Sequence, residues 1–181
     1  MSRVLIILAE GFEEIEAVTV IDVLRRAEIE VVTAGIDGRD PVVGSRDLRL
    51  VPDVSLSQIE GQWDLVVLPG GSQGTDNLAK SPFVIDLIRE RVKSEQLIAA
   101  ICAAPLVLDR AGVLEDGQFT CYPGVESQMK AMGRRHDSVV EADPVITSQG
   151  PATAMEFALR LVRRLRGTAV ASEVARGLLV A

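Results

Sequence analysis

The sequence predicts one α/β domain built on a parallel sheet covered by helices on both faces. Three observations carry this expectation. Short β-branched runs alternate with helical patterns along the whole chain. Strands such as Asp64–Leu68 and Leu97–Ile101 are continuously apolar, as strands buried on both faces must be. At 181 residues the chain is about one domain long and can bury a core without disulfide staples.

Taken in order, Arg3–Leu8 reads as a strand, Glu13–Ala27 as an amphipathic helix and Glu30–Ala34 as the next strand. Pro41–Ser45 and Leu48–Val51 form a short hairpin excursion. Asp64–Leu68 is an apolar strand ending in Pro69-Gly70-Gly71, and Thr75–Lys80 after it reads as polar and irregular. Ser81 as N-cap and Pro82 at the first helical position open a helix to about Lys93. Leu97–Ile101 is another buried strand, with a helix over Ala103–Ala111. Val145–Ser148 gives a late strand, Ala152–Arg166 a long helix and Ala169–Arg176 a short one packed back on the body. There is no repeat, linker or low-complexity tract, so residues 1–181 read as a single domain.

Composition narrows the function. The chain is 48% hydrophobic, 25% charged and only 3% aromatic, an ordinary globular balance with an aliphatic core. A net charge of -7 repels phosphate backbones, so nucleic acid is not an expected partner. No apolar run approaches the ~18 residues of a membrane span, and Val4–Leu8 is too short for a secretory core. Cys102 and Cys121 form no CxxC pair, which argues against a zinc knuckle and for a reduced, cytoplasmic setting. His136 is the single histidine, so histidine-rich metal sites are not expected and no metal is called for.

In a parallel sheet, ligands bind beyond the carboxyl ends of the strands. The informative segments are therefore Ala9–Glu16, Pro69–Gly74 and Cys102–Pro105. A dinucleotide turn fails on charge, because Gly11 stands among Glu10, Glu13, Glu14 and Glu16. A phospho-acceptor receiver needs an aspartate where Gly70-Gly71 and Cys102 stand. Gly70-Gly-Ser72-Gln-Gly74 matches a nucleophile elbow, but an irregular Thr75–Lys80 and a base limited to His136 argue against it.

Cys102 is the stronger nucleophile. It lies at the turn from strand to helix, where the helix dipole and unpaired N–H groups favour a thiolate, and small Ala103 and Ala104 leave the sulfur accessible. Its bland alternative is a buried core thiol. Glu16 falls on the same stripe as Val20, Val23 and Ala27 at about 100° per residue. A carboxyl there is desolvated, so its pKa rises and the neutral acid can donate a hydrogen bond. Together Cys102 as nucleophile, Glu16 as acid or base, and the amides of Gly71 and Ala103 as an oxyanion hole make a site assembled from three strand ends. Cys121 could resolve a Cys102 sulfenate but reads as a buried structural thiol. His136, beside Arg134 and Arg135, reads as solvated loop. Arg160, Arg163, Arg164 and Arg166 suit the carbonyl end of the long helix, and Trp63 reads as packing.

At these residues the sequence resembles the DJ-1/ThiJ/PfpI superfamily, most of all its Parkinsonism-associated protein deglycase branch. Ala9-Glu-Gly-Phe-Glu-Glu-Ile-Glu16, Leu68-Pro-Gly-Gly71, Ala99-Ala-Ile-Cys-Ala-Ala-Pro105 and Thr147-Ser-Gln-Gly-Pro-Ala-Thr153 carry the resemblance in order. Asp22-Val-Leu-Arg-Arg-Ala27 and Ser45-Arg-Asp47 extend it. It implies a flavodoxin-like three-layer sandwich, a homodimer, and a cysteine (Cys102) easily oxidised to sulfinate with a protonated glutamate (Glu16) as donor. It further implies Tyr122, Gly70, Gln149 and Pro151 as site lining, and Arg26 and Arg46 near a dimer-side anion pocket. The implied function is a cofactor-independent glyoxalase or deglycase acting on small aldehydes or glycated adducts. The alternative is a thiol redox sensor or stress chaperone without significant turnover. Two departures bear on chemistry. Ala103 stands where the protease branch has a histidine, which argues against peptidase activity. Tyr122 stands where many deglycase-branch members have a histidine, and tyrosine (pKa ~10) is a poor base at neutral pH.

Overall fold

A computed structural model describes residues 2–38 and 41–180. The chain starts as β1 (Arg3–Leu8), α1 (Glu14–Arg26) and β2 (Glu30–Gly35). A hairpin of β3 (Val42–Val43) and β4 (Arg49–Leu50) follows, then β5 (Val54–Ser55). β6 (Leu65–Leu68) leads to α2 (Ser72–Lys80) and α3 (Pro82–Lys93), and β7 (Leu97–Ile101) to α4 (Pro105–Ala111). β8 (Val139–Ala142) and β9 (Val145–Ser148) precede α5 (Ala154–Gly177). Seven strands form one sheet in the order β5-β2-β1-β6-β7-β9-β8. All neighbours pair in parallel except β8, which runs antiparallel to β9.

Alternation along β1 divides the core. Val4, Ile6 and Leu8 face Val20, Val23, Phe157 and Leu161 of α1 and α5. Leu5, Ile7 and Ala9 face Leu78, Ile88, Val107 and Leu108 of α2, α3 and α4. Successive strand side chains point to opposite faces, so a strand apolar at every position is buried on both. The result is the flavodoxin-like three-layer sandwich expected. Strand order reverses at β1, with β2 on one side and β6 then β7 on the other, which sets a crevice at the carboxyl ends of β1, β6 and β7. Among the described residues no helix is long and apolar enough to cross a membrane.

Several local signals hold. Ser81 accepts from the Val84 N–H at 3.4 Å with Pro82 behind it. Trp63 packs as read, with Arg3 stacked 4.4 Å from its ring centroid. Buried Arg91 donates to the carbonyls of Leu97 and Trp63, and burial lowers its pKa to about 10 against the opposing charge of Asp64.

Other expectations are corrected. Thr75–Lys80 is not irregular: the helix α2 begins at Ser72. Its only large apolar anchor is Leu78, and small Gly74 lets the helix approach the Phe12 backbone, so no hydrophobic period shows in the sequence. The helix expected over Ala103–Ala111 starts at Pro105, leaving Cys102 in the turn before it. β5 and β8 escape the sequence reading because each is short or closes a hairpin at the sheet edge. The two C-terminal helices are one run broken at Gly167 (φ 84), close to the expected gap. Arg160 and Arg163 pair with Glu141, and Arg164 with Asp143, tying α5 to the β8–β9 hairpin rather than complementing a helix end.

Candidate active site

Three strand ends build the site. After β1, the Glu13 carboxylate caps α1 by accepting from the Glu16 N–H at 2.8 Å, which fixes the first turn. Glu16 then points inward: it is 0% exposed, on the stripe shared with Val20, Val23 and Ala27. After β6, Gly70 donates its N–H to Glu16 Oε2 at 2.8 Å and accepts from the Glu13 N–H at 2.9 Å. The other carboxyl oxygen, Oε1, is buried and has no hydrogen-bond partner among the described residues. Burial raises the Glu16 pKa to about 7, helped by the charge of Glu13 and opposed by the neighbouring Cys102 thiol and the Gly70 N–H.

After β7 comes Cys102, with φ 66, a conformation that non-glycine residues rarely adopt. Its backbone is held on both sides: its N–H donates to Ser148 O at 3.0 Å, and its carbonyl accepts from Tyr122 N at 2.8 Å. The turn aims the sulfur at Glu16 and at two N–H groups, those of Gly71 and Ala103, that no backbone carbonyl among the described residues takes. The helix-dipole argument alone favours a lowered thiol pKa. The structure shows a larger opposing effect, since burial and the adjacent Glu16 carboxylate push the Cys102 thiol up, while the Gly71 and Ala103 amides pull it down. Thiol and carboxyl therefore compete for one proton. With that proton on Glu16, the carboxylate that opposes the thiolate is gone.

The glycines at the end of β6 are dictated by this crowding. A Cβ on Gly70 would stand 2.6 Å from Cys102 Cβ and 2.8 Å from Glu16 Oε2. Gly71 has φ 92, and its Cβ would meet Glu13 N at 2.8 Å.

The structure brings together Cys102, Glu16, Gly70, Gly71 and Ala103. Tyr122, half exposed, borders the same cleft of about 250 Å³, with its ring against Gly150. Gln149 does not line the cleft: its amide donates to the carbonyls of His136 at 2.6 Å and Asp137 at 2.9 Å. Pro151 opens a 3-10 turn, and it is Gly150 that lies beside the sulfur, where a Cβ would stand 4.0 Å from Sγ. Arg26 and Arg46 do not converge within the chain. Arg26 pairs with Asp22 at 2.7 Å near the C-terminal end of α1, whereas the Arg46 N–H meets Glu14 at the other end, about 18 Å away along the axis.

Ser72 does open a helix, so that objection to an elbow falls, but among the described residues no base is hydrogen-bonded to its hydroxyl. His136 is exposed, with Nδ1 3.2 Å from Arg134 Nη1, and no hydrogen bond among the described residues joins it to Ser72. Cys121 is buried with Phe119 and Ala131, its sulfur 3.9 Å from Glu126 Oε2, and burial raises its pKa to about 11. The sequence reading missed Thr75, Asp76, Val125 and Gln128, which also line the cleft. Helical spacing from Ser72 places Thr75 and Asp76 one turn on; only the mistaken loop hid them.

The fold is shared with known proteins. The DJ-1/PfpI family matches residues 2–164. Protein dj-1beta of Drosophila melanogaster is 46% identical over 180 residues, 98% of this chain and 96% of that one. The Parkinson disease protein 7 homolog of Danio rerio is 42% identical over 177 residues, 95% and 94% of the two chains. A glutathione-independent glyoxalase, DJR-1.2 of Caenorhabditis elegans, is 40% identical over 169 residues, 92% and 89%. Among solved structures, Drosophila melanogaster DJ-1beta superposes with TM-score 0.96 at 45% identity, covering all of both chains. Oxidized Toxoplasma gondii DJ-1 superposes with TM-score 0.94 at 36% identity, again over both whole chains.

Proposed function

The chain belongs to the DJ-1/PfpI family, and from that premise we propose that it is a cysteine-dependent, cofactor-independent enzyme converting small reactive carbonyls, or their adducts, to hydroxy acids. One observation carries the reading: Cys102 shares a crowded strand-end site with a wholly buried carboxyl group whose Oε1 lacks a partner among the described residues. A carboxylic O–H on Oε1 satisfies that oxygen by donating toward the sulfur. The nematode relative's name, a glyoxalase independent of glutathione, supports the same chemistry.

In this reading the Cys102 thiolate adds to the aldehyde carbon of methylglyoxal, and the carbonyl electron pair moves to oxygen. The Gly71 and Ala103 amides donate to that oxyanion, and the Glu16 proton converts it to a hemithioacetal. The resulting Glu16 carboxylate takes the hydrogen on the sulfur-bearing carbon as a proton, leaving an enediolate. Glu16 returns the proton to the neighbouring carbon while the hemithioacetal hydroxyl proton passes to that carbon's oxygen, giving a hydroxy-acid thioester. Water then breaks the C–S bond and releases the acid. No electron leaves the system. Cys102→Ser tests the reading directly: methylglyoxal consumption falls by about a thousandfold or more with the fold intact. A serine variant as active as wild type would sink it.

A second reading is a thiol redox sensor or stress chaperone. The same amides and Glu16 suit the oxygens of a sulfinate, formed as peroxide oxidises the sulfur stepwise, and Cys102 at 9% exposure is within reach. Intact mass after mild peroxide separates the two: a gain of two oxygens on the Cys102 peptide with no aldehyde turnover favours the sensor.

We also propose that the chain functions as a homodimer. Ile15 and Val18 on the outer face of α1, with Leu48 and Val51 flanking the hairpin strand β4, are exposed together where Glu14 holds Ser45 and Arg46. Such an apolar patch suits a second copy.

A further inference from the structure

The cleft over Cys102 is lined by polar side chains that the chemistry above leaves unused, Ser72, Thr75, Asp76, Tyr122 and Gln128, and two of them stand out. Thr75 is 1% exposed and lines the cleft, yet its Oγ1 has no hydrogen-bond partner among the described residues. Its N–H already donates to Gly71 O at 2.8 Å, so the hydroxyl plays no part in closing the first turn of α2. A buried hydroxyl without a partner is costly to keep, and one at a cleft wall is relieved by an oxygen or nitrogen of a ligand. One residue on, Asp76 is exposed and lines the same cleft. No lysine, arginine or histidine among the described residues lines this space.

We infer that Thr75 and Asp76 set the substrate class of this cleft: polar carbonyl compounds that are uncharged or cationic, with anionic aldehydes rejected. The inference rests on the carbonyl chemistry proposed for Cys102, and its test separates the two. The logic is positional. Partial positive charge is concentrated at the Gly71 and Ala103 amides beside the sulfur, where the developing oxyanion lies. A second, full negative charge on the substrate lies farther out, facing Asp76 with no cation among the described lining residues to receive it. A neutral second oxygen instead finds the Thr75 hydroxyl, and a cationic group finds the Asp76 carboxylate.

Alkylation of Cys102 reads this without turnover. Iodoacetamide and iodoacetate differ chiefly in charge, and peptide mass resolves Cys102 from Cys121. Relative to free cysteine, Cys102 in the wild-type chain prefers iodoacetamide by roughly tenfold at low salt; Asp76→Asn cuts that preference roughly fivefold, and Asp76→Lys reverses it. A preference unchanged by Asp76→Asn overturns the charge assignment, whatever the enzyme does with aldehydes. In turnover, Asp76→Asn raises kcat/KM for the anionic α-ketoaldehyde 4,5-dioxopentanoate relative to methylglyoxal by roughly fivefold. Thr75→Val raises the KM for methylglyoxal roughly tenfold, and Thr75→Ser restores it. An unaltered KM in Thr75→Val removes the hydroxyl from recognition. If aldehyde turnover is absent but the alkylation preference follows Asp76, the carbonyl reading fails and the charge selectivity stands.

Discussion

Gly70 donates its N–H to Oε2 of Glu16 at 2.8 Å, and that one bond decides which carboxyl oxygen remains for Cys102. It comes from a residue that cannot carry a side chain, because Cβ would enter the space of both partners. The carboxyl is thereby oriented, buried and left with Oε1 unpaired among the described residues. Whether the shared proton sits on sulfur or on oxygen then governs both reactivity and stability.

Glu16→Gln keeps a neutral hydrogen-bond donor beside the sulfur but cannot carry a proton. Cys102 alkylation at neutral pH stays within about threefold of wild type, while methylglyoxal turnover falls by about a hundredfold or more. Parallel losses in both measurements would assign Glu16 to maintaining the thiolate alone.

The same residue links pH to stability. Its pKa is raised to about 7 in the folded chain, against about 4.3 unfolded. The folded state therefore binds this proton more tightly. Its contribution is full below the unfolded value and is lost as pH rises through the folded one. Urea unfolding between about pH 5.5 and about pH 8.5 shows wild type losing roughly 2 kcal/mol relative to Glu16→Gln. Parallel curves for the two proteins would place the Glu16 pKa at an ordinary carboxylate value.

Gly71→Ala combines a left-handed backbone with a steric conflict, since φ is 92 and Cβ would meet Glu13 N at 2.8 Å. Gly117→Ala shares the positive φ, at 68, but has nothing within 4 Å. Urea unfolding gives about 1 kcal/mol of destabilisation at Gly117 and at least about 2 kcal/mol more at Gly71. Equal losses would mean that the end of β6 relaxes away from the α1 loop.

Val51, 64% exposed, and Ile15, 56% exposed, test the dimer. Sedimentation of the double variant Ile15→Asp, Val51→Asp shows a monomer where wild type shows a dimer, because two buried carboxylates per subunit oppose association. A wild-type chain that sediments as a monomer ends the dimer proposal.

Periodicity was sufficient for much of this molecule. Continuous apolar runs marked the buried parallel strands, the stripe through Glu16, Val20, Val23 and Ala27 foretold a buried carboxyl, and strand-end position singled out Cys102. These features are legible because burial on both faces of a sheet, or on one face of a helix, leaves a repeating trace in residue type. Only the tertiary structure decided the rest. It showed α2 where polar residues and glycine hid a helix held by Leu78, and so brought Thr75 and Asp76 into the cleft. It turned Gln149 away, put Gly150 beside the sulfur, and held Arg26 and Arg46 at opposite ends of α1. It also set burial and a carboxylate against the dipole at Cys102. Those outcomes depend on distances between segments far apart in the chain, and on how strongly solvent is excluded where they meet. No local pattern of residues records either quantity.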